Sequence, residues 1–252
     1  YIISSFGIDG TFLWIAVVTY VVTLIASRLV VFPTDQWHMH IFGAMHLPDA
    51  TGMVRANLPP KQMLHTSLFW MMWLSFLFSI YGSLLIIGIL PSFGYEVIGL
   101  TVSRASIPIS FFALANGLSR PLSGYISDKL GVPTVLGVVF FFQACVFLLF
   151  PFLISSFSTL LIASTMLGFG IGASLALYPV LTSECFGVEH MGVNYGLLFT
   201  AYGFGAFAIQ GGAYLRDITG SYTLSLLIAG VLSMISVVII FILRKKYNLT
   251  HA

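Results

Sequence analysis

A single arginine stands inside an otherwise apolar stretch of the chain. Counted back from Asp128, where the stretch ends in a charged turn, Arg120 lies eight residues up a helix, which is about 12 Å at the rise of an α-helix. If Asp128 marks a membrane surface, the guanidinium lies within the hydrocarbon layer, where charged side chains face a bundle interior or a wet cavity. Because a guanidinium binds a carboxylate through forked donors, the pattern predicts an anion site at Arg120.

Two other roles of Arg120 stay open at this point. Its long stem could carry the charge toward the cytoplasmic surface, or the guanidinium could bond backbone carbonyls. Asn116 lies one turn away on the same helix face. We expect Asn116 to contact the anion, to hold Arg120 or to form an interhelical hydrogen bond.

The composition places the chain in lipid. It is 58% hydrophobic and 7% charged, with a mean hydropathy of +1.02, whereas soluble domains carry about 25% charged residues. A soluble enzyme is therefore excluded, and no Ser/His/Asp set or nucleophile elbow suggests an enzyme of another kind. The net charge of +2 is too small to indicate a nucleic-acid partner.

Seven apolar segments are each long enough to cross a bilayer, which takes about 20 residues. They lack the alternation of barrel strands, so we predict an all-α, multi-pass integral membrane protein with seven transmembrane helices. The segments lie near 11–31, 67–91, 101–126, 133–154, 158–182, 194–214 and 222–243.

The basic residues orient these helices. With the chain's end inside, most of them fall on the cytoplasmic side, as the positive-inside rule requires. Only Arg104 and Arg216 fall outside. The inside set is Arg28, Arg55, Lys61, Lys129, Arg244, Lys245 and Lys246. The sequence does not say which membrane holds the protein.

Two motifs resemble a known transporter family. The run from Gly124 to Gly131, Gly-Tyr-Ile-Ser-Asp-Lys-Leu-Gly, resembles the loop between the second and third helices of a six-helix half in the major facilitator superfamily. Leu177-Tyr178-Pro179, Glu184 to Gly187 and Asn194 to Gly203, together with Asn116-Gly117 and Arg120-Pro121, are similar to its oxalate/formate antiporter and monocarboxylate carrier branch.

The resemblance implies a domain layout. Residues 1–32 would be the last helix of an N-terminal half, 33–66 the central cytoplasmic loop, 67–246 the six-helix C-terminal half, and 247–252 a cytoplasmic tail. Members of the family have twelve helices and hold their substrate between two halves that rock around it. We therefore expect a missing N-terminal half as a partner, beside membrane lipid.

One position departs from the oxalate-transporting members. They carry a lysine where this chain has Tyr202, and two of their aromatic positions correspond here to Ile171 and Leu175. A dianion facing one arginine would keep an unpaired buried charge. The resemblance therefore implies a monocarboxylate such as formate, lactate or pyruvate rather than oxalate, although Tyr202 could equally be a helix-packing tyrosine.

Other polar residues inside or beside the segments complete the candidate site. Tyr81 and Gln210 could line the cavity, whereas Gln143 is expected to bind helices together. In the family, the acid of the turn pairs with neighbouring helices, so the resemblance implies that Asp128 and Lys129 gate the cytoplasmic side. An ordinary capped turn is the alternative.

Two patterns suggest cofactors only at first sight. Gly168 and Gly172 lack the spacing of a dinucleotide-binding loop and instead form a G-x-x-x-G face for close helix packing. His38, His40 and His46 lie in a polar loop without a cysteine partner. We predict no metal and no cofactor.

Two functions follow from these observations. We expect a secondary active transporter of small carboxylate anions that works by alternating access, as a symporter with a proton or as an antiporter with a counter-anion. The alternative is a non-transporting membrane sensor, or an inactive half-transporter of the same fold.

Overall fold

The computed structural model describes residues 2–29 and 57–249, with side chains at 7, 9–28 and 57–245. Every regular element in these ranges is a helix, which confirms the all-α fold class. The helices are α1 (Ile2–Leu29), α2 (Pro60–Leu64), α3 (Ser67–Glu96), α4 (Val102–Leu130), α5 (Val132–Leu153), α6 (Phe157–Phe186), α7 (Met191–Gly205), α8 (Phe207–Thr219) and α9 (Thr223–Leu249). His38, His40 and His46 lie outside the described residues.

Six stretches of the described chain are long and apolar enough to cross a membrane. They are Asp9–Arg28, Ser67–Glu96, Val132–Leu153, Phe157–Phe186, Met191–Thr219 and Thr223–Lys245. Helix α4 is long enough, with 29 residues, but Arg104, Arg120, Asp128 and Lys129 lower its hydropathy. The predicted count of seven spans is therefore not confirmed.

The chain divides into two units, Tyr1–Met53 and Val54–Ala252. Helix α1 belongs to the first unit and contains a kink at Gly7, whose φ is +68°, a conformation that favours glycine. In the second unit, α3 is central and contacts α4, α6, α7, α8 and α9, while α4 packs mainly on α6, and α9 on α5 and α3. The largest side chains in the core are Tyr178, Phe76, Phe140, Phe147 and Phe150, all fully buried.

Local signals set the helix ends. The hydroxyl of Thr66 accepts a hydrogen bond from the Phe69 amide at the start of α3, and Ser156 and Thr159 form a capping box at the start of α6. Such caps satisfy amides that have no partner within the helix. Helix α4 ends at Gly131, whose φ of +79° lets the chain turn at once into α5.

The segment before α3 is fastened to the link between α6 and α7. The Leu58 amide donates to the Phe186 carbonyl at 3.0 Å, and Asn194 Nδ2 donates to the Leu58 carbonyl at 3.0 Å. Asn57 Oδ1 accepts from the amide of Val188 at 3.1 Å. Residues 57–64, which were predicted as the end of the central loop, therefore pack against the helices of their own second unit and contain the short helix α2.

A charged cluster joins α3, α8 and the residue before α9 at the other end of this unit. Arg216 of α8 pairs with Glu96 of α3 at 2.6 Å, and the Tyr222 hydroxyl donates to the same carboxylate at 3.2 Å. Burial raises the pKa of Tyr222, which precedes α9, and the neighbouring Glu96 charge adds to the shift. Tyr222 therefore keeps its proton and its hydrogen bond at neutral pH.

Buried polar groups connect the helices in the core. Gln143 Nε2 of α5 donates to the Ser79 carbonyl of α3 at 2.7 Å and to Ser233 Oγ of α9 at 3.3 Å. Ser75 of α3 and Tyr178 of α6 share a hydrogen bond of 2.8 Å. These contacts agree with the expectation that Gln143 binds helices together.

Replacing Gln143 by methionine is expected to destabilise this unit modestly. The change keeps the volume but removes two interhelical hydrogen bonds, each worth about 0.6 kcal/mol and at most about 1.7 kcal/mol in membrane proteins. Thermal unfolding in detergent measures the loss. The matched control is Gln62→Met, because Gln62 is exposed; equal melting temperatures for both variants would contradict a structural role of Gln143.

Candidate anion site

Two glycines bring α6 into close contact with the helix that carries Arg120. A β-carbon at Gly168 would collide with the backbone of Phe112, and one at Gly172 with the backbone of Asn116 and the hydroxyl of Ser119. Only glycine allows this approach, so the predicted G-x-x-x-G packing face is confirmed. The contact fixes the position of α4 along the axis of α6. It thereby also fixes the axial position of Arg120, which lies one turn beyond Asn116.

The Arg120 side chain is exposed on the protein surface of the second unit. The guanidinium forms neither an ion pair nor a hydrogen bond with any residue that the structure describes, so the described backbone carbonyls do not hold it. It lies within electrostatic reach of the Tyr195 hydroxyl of α7. Arg120 is therefore an exposed cation on α4 that can accept an anionic partner.

Three aromatic side chains line one face of α7. Tyr195, Phe199 and Tyr202 recur at the spacing of a single helix face. The rings of Tyr195 and Phe199 are 5.6 Å apart, and those of Phe199 and Tyr202 stack at 5.1 Å with a 9° interplanar angle. We call this row the α7 aromatic face; it begins at Tyr195, within electrostatic reach of Arg120.

Contacts with α3 and α6 hold the aromatic face in place. The Phe199 ring lies 6.1 Å from that of Phe76, which packs 4.3 Å from the Tyr178 ring. Trp73 Nε1 donates to Thr200 Oγ1 at 3.0 Å. Phe76 and Tyr178 are fully buried, so the face rests on a rigid base.

The regular helix of the span that carries the aromatic face is broken at one residue, Ala206, which keeps helical dihedrals (φ −62°, ψ −24°). Helix α7 ends at Gly205 and α8 begins at Phe207, whereas the sequence predicted one helix over 194–214. At Ala206 the amide reaches both the Tyr202 and Gly203 carbonyls at 3.2 Å, and the Ile209 amide bonds the Ala206 carbonyl, so the ladder tightens locally.

The break separates the remaining candidates from Tyr202. The Tyr81 hydroxyl of α3 lies against Gly211 of α8, next in sequence to Gln210, which is exposed. Eight residues separate Tyr202 from Gln210, about 12 Å along a helix. The structure thus groups Arg120 with the α7 aromatic face, and Tyr81 with α8 beyond the break.

The Asn116 side chain forms no interhelical hydrogen bond with the described residues, which was one of its three expected roles. Its Oδ1 is buried and accepts no hydrogen bond from any described residue, while its backbone carbonyl accepts from Ser119 Oγ at 2.9 Å. Of the two positions that are aromatic in oxalate transporters, Ile171 is 2% exposed and belongs to the core, and Leu175 packs against that core.

The turn after α4 is exposed. Lys129 Nζ donates to the Tyr125 hydroxyl at 2.7 Å and lies 4.4 Å above its ring. Asp128 forms no ion pair with a residue in the described ranges. Within those ranges there is also no group of three metal-ligating side chains, and the site is built from one cation, amides and aromatic rings.

Sequence reasoning missed Tyr195 and Phe199 as members of the site. Their spacing from Tyr202 would have placed all three on one face of a helix. Aromatic residues with this spacing are, however, as common in packed cores as in binding sites. The proximity of Tyr195 to Arg120 depends on the packing of α4 against α6, which no local pattern reveals.

Comparisons with known proteins agree with this architecture. The family model described as Major Facilitator Superfamily matches residues 1–210. The chain is 29% identical over 196 residues to the oxalate:formate antiporter of Oxalobacter formigenes, covering 77% of this chain and 44% of that protein. It is 26% identical over 178 residues to the uncharacterized MFS-type transporter YhjX of Escherichia coli K12, covering 67% and 44%.

These relatives are longer than the sequence in hand. The chain spans 44% of the length of each of the two. The family match nevertheless covers most of the chain, and the long apolar helices agree with it. The chain belongs to the major facilitator superfamily and is an integral, multi-pass membrane protein.

Proposed function

We propose that the protein is a secondary active transporter of small carboxylate anions that works by alternating access. The observation that carries this proposal is Arg120, a cation well inside a helical segment that has no anionic partner among the described residues. A charge at such depth is costly unless it is paired or solvated. An anionic substrate would supply the missing charge, and the guanidinium fork suits a carboxylate.

A monocarboxylate is the substrate that this site favours. Beside Arg120 the site offers the Tyr195 hydroxyl and the rings of Phe199 and Tyr202, and none of these three carries a positive charge. One cation neutralises one carboxylate, whereas a second carboxylate would stay unpaired in a low dielectric. We therefore favour formate, lactate or pyruvate over oxalate.

The name of the Oxalobacter formigenes relative, oxalate:formate antiporter, supports exchange with a counter-anion, and cotransport with a proton is the other coupling. Asn116, Tyr81 and Gln210 are the further residues that we assign to substrate contact. Asp128 and Lys129 are assigned to gating, because both charges are exposed at the end of α4 and are available to pair in a second packed state.

We further propose that residues 1–32 belong to an N-terminal half and 33–66 to the central loop, with 67–246 as the C-terminal half and 247–252 as a cytoplasmic tail. The 44% coverage of the two relatives supports a missing half. Counterflow tests the transport proposal: proteoliposomes that hold the whole protein and unlabelled formate should accumulate external labelled formate. Accumulation no faster than in protein-free liposomes would contradict it.

Replacing Tyr202 by lysine is expected to shift the preference toward dicarboxylates. A second cation would pair the second carboxylate of oxalate, and a tenfold change in the oxalate-to-formate uptake ratio corresponds to about 1.4 kcal/mol. Competition between labelled formate and unlabelled oxalate measures the ratio. The matched control is Tyr214→Lys, at a position that is 65% exposed on α8. If both variants keep the wild-type oxalate-to-formate uptake ratio, the residue at position 202 does not select substrates by their charge.

A further inference from the structure

Helix α7 starts without a capping side chain of its own. Helices α3, α4 and α6 each begin after a threonine or serine whose hydroxyl accepts a hydrogen bond from an amide of the first turn. The residue before α7, His190, makes no such hydrogen bond, although the first amides of any helix lack partners within it. The start of α7 is instead held by a distant part of the chain, residues 57 and 58.

Asn57 caps the link that leads into α7. Its Oδ1 accepts hydrogen bonds from the amides of Val188 at 3.1 Å and Glu189 at 3.4 Å. Gly187 makes room for this contact, because a β-carbon there would collide with Asn57, and its φ of +81° favours glycine. The chain therefore leaves α6 directly beside the Asn57 side chain.

Leu58 bridges both helices of this link through its backbone. Its amide donates to the Phe186 carbonyl at the end of α6, and its carbonyl accepts from Asn194 Nδ2 in the first turn of α7. The Asn194 side chain is fully buried. Without this donor the Leu58 carbonyl would lose its partner in a partly buried place, which is costly.

These contacts lie next to the candidate anion site. Asn194 directly precedes Tyr195, which is the residue of the α7 aromatic face within electrostatic reach of Arg120. Among the described helices, α7 packs mainly on α3 and α6, and α4 is not one of these main neighbours. The position of Tyr195 relative to Arg120 therefore depends on how α7 is fixed to the rest of the unit.

We propose that Asn57 and Asn194 are positioning residues of the candidate anion site. They fix the start of α7 to the end of α6 and to the segment before α3, and they thereby set where Tyr195 lies relative to α4. Asn57 contributes an acceptor and Asn194 a donor, and neither contacts the anion. Their effect on transport rests on the proposed function, whereas their effect on the position of α7 does not.

A spin-label distance between α4 and α7 tests the positioning role without any substrate. The labels are attached to Leu122→Cys and Val193→Cys, at positions that are 51% and 58% exposed, in the whole protein with both native cysteines replaced by alanine. This parent protein should give one narrow distance distribution. Asn57→Leu and Asn194→Leu should each broaden the distribution about twofold, because each removes hydrogen bonding at the start of α7.

Two further variants separate the hydrogen bonds from general effects of substitution. Asn57→Asp should keep the narrow distribution, because a carboxylate oxygen accepts from the same two amides. Gln62→Leu is the matched control, since Gln62 is exposed on α2 and its side chain takes no part in these contacts; it should also keep the narrow distribution. Parental widths in both Asn57→Leu and Asn194→Leu would overturn the positioning role, and a broad distribution in Asn57→Asp would overturn the role of Asn57 as an acceptor.

Formate uptake by proteoliposomes supplies the second readout. The half-saturating formate concentration should rise several-fold in Asn57→Leu and stay at the wild-type value in Asn57→Asp, because a displaced Tyr195 weakens the binding of the anion. An unchanged half-saturating concentration in Asn57→Leu would overturn the effect on the anion site. If wild type takes up no formate, the proposed function fails, while the spin-label distances still decide whether the two asparagines position α7.

Discussion

Replacing Arg120 by glutamine is expected to abolish carboxylate transport while leaving membrane insertion intact. Glutamine keeps a hydrogen-bonding group but removes the charge that the anion needs. Loss of one partner of a desolvated charge pair costs about 2–5 kcal/mol, which is roughly 30-fold to several thousandfold in affinity. Uptake of labelled formate into proteoliposomes measures the effect.

Arg104→Gln provides the matched control on the same helix. Arg104 lies sixteen residues before Arg120, about 24 Å away along the axis, and it is exposed at the start of α4. The Arg104 variant should transport like wild type. Equal transport by wild type and the Arg120 variant would exclude an anchoring role and favour a structural arginine.

Replacing Gly168 by alanine is expected to destabilise the second unit. The loss should exceed that of adding a methyl group elsewhere on α6, outside the close contact with α4. The new β-carbon would overlap the Phe112 carbonyl and backbone, so α4 and α6 must move apart. Overpacking of this kind costs about 1–3 kcal/mol, and it would displace Arg120 from the α7 aromatic face. A lower melting temperature together with weaker formate uptake is the expected result.

The control for this glycine is Gly117→Ala on α4. A β-carbon at Gly117 meets no atom within 4 Å, and alanine favours helix over glycine by up to about 1 kcal/mol. That variant should be as stable as wild type or more stable. If Gly168→Ala melts at the same temperature as Gly117→Ala, the two helices do not depend on the close contact.

Much of the site could be predicted because charge in an apolar segment is a strong signal. Arg120 interrupts a long hydrophobic run, and burying a guanidinium needs a specific reason, so the residue is visible without any structure. The packing face of Gly168 and Gly172 could also be predicted, because their spacing places both glycines on one side of the helix. The charged turn at Asp128 is equally visible, because it ends the apolar stretch.

Other features depend on tertiary packing and could not be predicted. Tyr195 joins the candidate site only because the tertiary fold brings it within electrostatic reach of Arg120, and its sequence neighbourhood resembles any aromatic helix. The break at Ala206 follows two nearby glycines, which are common inside membrane helices. Helix α4 was predicted as a span from its length, but its charged residues keep it below the hydropathy of the other long helices.

The most direct test is uptake by proteoliposomes that hold the whole protein, offered labelled formate, lactate, pyruvate and oxalate in parallel. We expect uptake of at least one monocarboxylate, slower uptake of oxalate, and loss of all uptake in Arg120→Gln. Well-folded protein that takes up none of the four would contradict the carboxylate assignment. Uptake that survives unchanged in Arg120→Gln would contradict the anion site itself.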